Sequence, residues 1–211
     1  LYFIYLRGMY RLIKPIFFKF DPENVHYFVV KRLKWFNDKF PLGKTIIRSS
    51  FDFHIRGLEK EVFGIKFRNP VGLAAGFDKN GEYVESLSNL GFGFIEVGTV
   101  TPEPQSGNPK KRLFRLKEDE ALINRMGFNN DGVEVITERL KGNKGRVIIG
   151  GNIGKNTATD EAEAEKDLFR NFKTMHPYVD YFVVNVSCPN VGSTARMNSK
   201  EFLLELFPQL K

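Results

Sequence analysis

Tyr181-Phe182-Val183-Val184-Asn185-Val186-Ser187-Cys188-Pro189-Asn190 decides how the rest of the chain is read. The first four residues, β-branched and aromatic, make a short buried strand. Pro189 bars that strand from running on. Between the strand and the proline lie an amide, Asn185, and the only cysteine of the chain, with a second amide, Asn190, just beyond. In barrels and doubly wound sheets the carboxyl ends of strands carry the chemistry. A lone cysteine is more often a small buried hydrophobe than a catalyst, so its reading depends on what the other strands deliver.

Upstream the same pattern repeats. Strands are expected over 71–75, 94–100 and 147–152, helices over 82–90, 132–140 and 161–175, and a last helix over 200–207. A small hairpin, Val62-Phe63 and 65–67 around Gly64, precedes them. Strand–helix alternation means a parallel sheet. Four strands alone fit a barrel or an open sheet; a complete barrel takes about 250 residues. The expectation is the first half of one, truncated, over residues 51–211.

Each strand ends in polar or glycine-rich residues. The first gives Ala74-Ala75-Gly76-Phe77-Asp78-Lys79, whose small residues let backbone approach a flat or phosphorylated ligand. The second gives Gly98-Thr99-Val100-Thr101-Pro102, and the third Gly150-Gly151-Asn152-Ile153-Gly154-Lys155-Asn156. Any one of these is ordinary turn chemistry. Their recurrence at the same end of successive strands is how a barrel assembles a site. The segment 102–131 is long for a connection, and long loops in compact domains are usually functional. It holds Leu122-Ile123-Asn124-Arg125-Met126-Gly127-Phe128-Asn129-Asn130, rich in amides suited to a small polar substrate.

Residues 1–50 differ in kind. They carry ten Lys/Arg against three Asp/Glu, so that the rest of the chain holds 22 of each sign and the whole net charge of +7 lies in this quarter. Twelve of the 29 aromatic residues are here too. Asp21-Pro22-Glu23 is a helix start; Val25, Phe28, Val29, Leu33 and Phe36 come after it at helical spacing until Pro41-Leu42-Gly43. With the apolar, basic segment 9–20 before it, a helical hairpin results. Its faces could simply pack on the main domain. Aromatic residues around much of the second helix, Tyr27 and Trp35 included, leave more apolar surface than one packing face needs, the pattern of a segment lying in a membrane interface. No run of 18 apolar residues exists to span one. Leu1 to Gly8 reads as a tag remnant or an upstream extension. Basic and aromatic residues together also suit nucleic acid. One cysteine excludes an internal disulfide, and His26, His54 and His176 have no ligand spacing with each other or Cys188, so no metal is expected.

Asn69-Pro70-Val71-Gly72-Leu73-Ala74-Ala75-Gly76 with Asp78-Lys79, then 98–102, 124–130, 152–156 and 185–190, together resemble dihydroorotate dehydrogenase, with the motifs in family order and the likeness running from about Met9. The resemblance implies oxidation of dihydroorotate to orotate in pyrimidine synthesis with FMN as cofactor. It implies Cys188 as the base, Ala75, Gly76, Phe77, Asp78, Lys79, Thr99, Asn152 and Asn185 as FMN contacts, and Lys79, Asn124, Arg125, Met126, Gly127, Phe128, Asn185 and Asn190 as the substrate shell. The front hairpin resembles that of the quinone-using class. It implies a quinone acceptor, with residues 1–50 on a membrane surface at the cytoplasmic face of the bacterial inner membrane, and no nucleic acid. Within the family the alternative is a soluble enzyme using fumarate or NAD; outside it, a non-catalytic binder of hydrophobic surfaces or nucleic acid. The oligomeric state is open, a monomer included.

Position 188 departs from the quinone class, where serine is usual and cysteine marks the soluble class. A thiol, with a reference pKa of about 8.5, is a far easier base than a hydroxyl. Val191-Gly192-Ser193-Thr194 also lacks the Thr-Pro-Gly usual in the quinone class, which bears on lid behaviour. The hairpin outweighs a single substitution, so a quinone-class enzyme with a thiol base is expected. The second half of a barrel should supply further FMN contacts, and these 211 residues alone should hold FMN poorly.

Overall fold

Asp21 starts a helix by capping it: its carboxylate accepts the backbone N–H groups of Glu23 and Asn24 at 3.0 and 3.1 Å, and Pro22 takes the first position, where no N–H is needed. The computed structural model describes residues 2–142, 147–188 and 196–210, with side chains from Gly8 onward except Met9. Three helices come first, α1 (Tyr2–Phe17), α2 (Pro22–Lys39) and α3 (Gly43–Phe51). The third was not foreseen, because no side chain caps it. Leu42 instead turns left-handed at φ 64° and Gly43 lets the chain pass Phe36, whose carbonyl oxygen would lie 2.1 Å from an added Cβ. Val30 is buried against the main core, Asn89 donates to Asn37 at 2.7 Å, and Arg68 pairs with Asp52 at 2.7 Å, so the helices are fixed to the sheet domain.

The hairpin forms as expected, β1 (Lys60–Val62) against β2 (Ile65–Phe67), with Phe63 and Gly64 both at positive φ in its two-residue turn. Then come β3 (Gly72–Asp78), α4 (Val84–Ser88), β4 (Phe94–Val100), β5 (Leu113–Leu116), β6 (Ala121–Asn124), α5 (Val133–Leu140), β7 (Ile148–Ile153), α6 (Ala164–Met175), β8 (Tyr181–Val184) and α7 (Lys200–Leu206). The four parallel strands lie in the order β3-β4-β7-β8. A doubly wound sheet would reverse direction at a switch point. Chain order without reversal is what a barrel wall requires.

Helices pack on one face of this wall. Leu87, Ile136, Leu140, Leu168, Met175 and Phe202 meet Ile95, Val97, Ile149 and Ile153, all at most 3% exposed. Full burial of each such side chain is worth about 1.5–3 kcal/mol. At the amino end of the wall Phe67, Phe94 and Tyr181 cluster edge to face, with centroids 5.4–6.4 Å apart. The Tyr181 hydroxyl donates to Glu96 at 3.1 Å, and Gly150 leaves room for that ring, which would lie 2.5 Å from an added Cβ.

The segment 102–131 is not irregular throughout. β5 and β6 pair antiparallel within it, and Gln105 and Asn130 exchange backbone hydrogen bonds at 3.0 Å to close its base. The turn Lys117-Glu118-Asp119-Glu120 has no glycine to announce it, since Glu120 itself takes the left-handed conformation at φ 49°. α4 is also shorter than the 82–90 span, because Asp78 and the bonds it makes hold 80–83 as a turn.

Candidate active site

The carboxyl ends of the four strands converge. β3 ends on Gly76, at φ +97° with open space where a Cβ would be, then Phe77, whose ring meets His26 perpendicularly at 4.7 Å. Asp78, 2% exposed, accepts the backbone N–H groups of Glu82 and Tyr83 at 3.0 and 2.8 Å. Burial pushes its carboxyl up while those donors hold it down. It fixes the turn that presents Lys79. The Lys79 ammonium donates to the Gly127 carbonyl at 2.8 Å, and burial, with Arg112 nearby, brings it down to about 8.

β4, β7 and β8 are laced by side chains. Thr99 donates to Asn152 at 2.6 Å, and Asn185 donates to Thr99 at 2.9 Å and to Asn152 at 3.4 Å. Thr99 and Asn152 are nearly buried. Three strands thus hold three polar side chains in one fixed array, a preorganised surface of the kind a site needs. Phe128 and Gly154 close it: an added Cβ at 154 would lie 2.8 Å from both the Phe128 ring and the Thr99 methyl. Cys188 is half-buried just past Asn185 and near enough to Lys79 that a thiolate there favours the lysine's charged form.

The long loop contributes unevenly. Asn130 bonds to Thr101, Phe128 and Gly132, using both ends of its amide to hold the loop against the tip of β4. Asn124 accepts from the Met126 N–H at 2.9 Å, and Met126 and Phe128 are buried. Arg125 does not join them. It is exposed, donates to the Lys111 carbonyl at 2.8 Å and lies over the Phe114 ring. Asn190 and residues 191–194 lie outside the described residues.

A cleft of about 720 Å³ opens beside this array, walled by the tip of β3, by α2 and by the β5–β6 hairpin. Strand alternation puts Leu113, Arg115, Leu122 and Asn124 on the hairpin's cleft side, facing Val25 and His26 of α2. His26 and Arg115 were not among the residues picked from the sequence. The one signal was spacing: His26 falls one turn after Glu23, on the same face of the helix.

The sequence pattern of the family described as Dihydroorotate dehydrogenase matches residues 57–209. The chain belongs to the dihydroorotate dehydrogenase family. It is 56% identical over 204 residues to the dihydroorotate dehydrogenase (quinone) of Christiangramia forsetii, covering 96% of this chain and 59% of that one. To the Coxiella burnetii enzyme of the same name it is 46% identical over 203 residues, covering 96% and 57%. Among solved structures, that of Eimeria tenella dihydroorotate dehydrogenase in complex with ferulenol is similar at TM-score 0.78 and 37% identity, over 90% of this chain and 50% of that one. The four-stranded wall is accordingly part of an α/β barrel, and the chain spans under three-fifths of the length of these curated relatives.

Proposed function

We propose that the protein carrying this chain oxidises (S)-dihydroorotate to orotate with FMN and passes the electrons to a membrane quinone, in pyrimidine biosynthesis. The observation that carries this reading is the fixed array of Thr99, Asn152 and Asn185 at one end of parallel strands, with Lys79 beside it and Cys188 just beyond. The array suits FMN: neutral amide and hydroxyl groups match the hydrogen-bonding edge of a flavin, and Gly76 leaves open space beside it. Ala75, Gly76, Phe77, Lys79, Thr99, Asn152 and Asn185 would hold the cofactor, with Asp78 acting through the turn. When bound, FMN supplies the acceptor for the hydride from C6 of the substrate.

The chain's own groups do the rest. Cys188 takes the C5 proton as general base. Asn124, Asn185 and Asn190 orient the pyrimidine through amide hydrogen bonds, Lys79 offers a positive charge to an anionic substrate, and Phe128 excludes water from one side. Arg125 supports the loop from outside.

The cleft supports the acceptor assignment, because most of its lining surface is apolar, with His26 and Arg115 among its polar groups, and it leads from the tip of β3 to α1 and α2. Residues 1–50 would form the membrane-facing domain and 51–211 the barrel portion. Leu12, Ile16, Phe28, Trp35 and Leu42 are each at least half exposed among lysines and arginines, the make-up of a surface that rests in a lipid interface, which we place at the cytoplasmic face of the inner membrane. No helix among the described residues is long and apolar enough to cross a membrane.

The test is turnover of dihydroorotate by the full-length, flavin-bound protein in detergent, with a ubiquinone or menaquinone analogue compared against fumarate and NAD. Faster reduction of the quinone supports the reading; preference for fumarate or NAD would place the protein in the soluble class, and absence of bound flavin would sink the enzyme reading. A second expectation concerns the base. Cys188→Ser should retain quinone turnover but need higher pH, since a hydroxyl holds its proton more tightly than a thiol. An unchanged pH–rate profile would count against Cys188 as base.

A further inference from the structure

Arg112 is where the helical segment meets the substrate loop. Its Nε donates to Glu23 Oε2 at 3.0 Å and its Nη2 to Oε1 at 2.7 Å, with side chains only 7% and 4% exposed. Its remaining arm, Nη1, donates to the carbonyls of Ser106 and Asn108 at 2.7 and 3.0 Å. Only a planar fork can satisfy both partners at once. The Asn108 N–H reaches the Met126 carbonyl at 2.9 Å, the Arg125 N–H reaches the Arg112 carbonyl at 2.9 Å, and the next carbonyl, that of Gly127, takes the Lys79 ammonium. Hydrogen bonds thus lead from the first turn of α2 to Lys79.

A buried ion pair is weak support for stability, since desolvating both charges offsets most of their attraction. This pair needs another explanation, and geometry offers one. We propose that Glu23 and Arg112 are positioning residues for the substrate: the pair at the foot of α2 holds the 106–128 loop and, through Gly127, Lys79. The helical segment then shapes the substrate pocket as well as the acceptor's approach. This rests on the dihydroorotate reading above.

Charge gives the inference a readout that a merely structural pair would lack. The groups facing Lys79 are Arg112 before β5, which disfavours its charge, and Glu23 of α2 and Cys188 past β8, which favour it. Lys79 is charged below about 8 and neutral above, so an anion held through it is bound below that pH and released as pH rises through it. Glu23→Gln leaves Arg112 uncompensated and moves that release to lower pH.

The experiment titrates orotate by calorimetry into the full-length, flavin-bound protein across this pH range. Glu23→Gln is expected to weaken orotate by about 10-fold, the scale of losing one charge-assisted hydrogen bond that supports the loop. Its alkaline loss of affinity should move down, and Glu23→Asp should recover part of both effects. Arg112→Lys, which keeps the charge but loses the fork that reaches Glu23 and the loop carbonyls together, should also weaken orotate, and it decides the matter if Glu23→Gln does not fold. Unchanged orotate affinity and pH dependence, with only a lower melting temperature, overturns the inference and leaves the functional reading standing. Wild-type protein that binds flavin but no orotate overturns both.

Discussion

Cys188→Ala is expected to slow flavin reduction by dihydroorotate by about 10²–10⁴-fold, the usual contribution of a positioned general base. The substitution removes one sulfur from a half-buried position and leaves the Thr99–Asn152–Asn185 array intact. Orotate affinity should therefore change little. Rapid-mixing measurement of flavin bleaching without an acceptor isolates this half of the reaction from quinone reduction. If bleaching stays within about threefold of wild type, proton removal by Cys188 is not part of the rate-limiting barrier. If orotate affinity collapses as well, the thiol is holding the ligand rather than taking its proton.

Gly98→Ala is expected to cost more than about 4 kcal/mol and to prevent soluble folding, an effect at the far end of the range for single substitutions. Gly98 sits inside β4 at φ +122°, a conformation that residues with a side chain rarely adopt. An added Cβ would lie 2.3 Å from the Asn152 carbonyl oxygen and 2.8 Å from the Val100 nitrogen. Both are backbone atoms of the sheet, so no side-chain rotation relieves the contact. The close approach of β4 to β7 here is what lets Thr99 reach Asn152 at 2.6 Å. Urea denaturation of whatever soluble protein is recovered is the check. A stability within about 1 kcal/mol of wild type would mean the two strands can separate without loss, and the array would not be rigid.

Much of the wall was legible because its strands are short apolar runs bounded by glycine and proline, and β4 has the limits its sequence predicts. The strand-tip residues were legible for the same reason: a polar residue directly after a buried run has few other places to go. What escaped was held by contacts between distant parts of the chain. α3 starts on an uncapped left-handed leucine, and the β5–β6 turn uses a glutamate where glycine is expected. Glu23 read as a first-turn acid that stabilises its own helix; its partner is 89 residues away. Asp78 and Arg125 stood inside motifs that suggested ligand contact, yet the carboxylate of the first is taken up by backbone N–H groups and the guanidinium of the second by Lys111 and Phe114. Sequence order shows which residues reach the mouth of a strand, but the choice between facing a ligand and bracing a neighbour is made by hydrogen-bond partners it does not contain.

The aromatic cluster at the other end of the wall bears on traffic. Phe67 arrives there on the β1–β2 hairpin and closes with Phe94 and Tyr181, whose hydroxyl is anchored on Glu96. That hairpin is a stopper. It caps the amino end of these four strands with packed rings, so a small molecule that reaches this stretch of wall does so from the mouth.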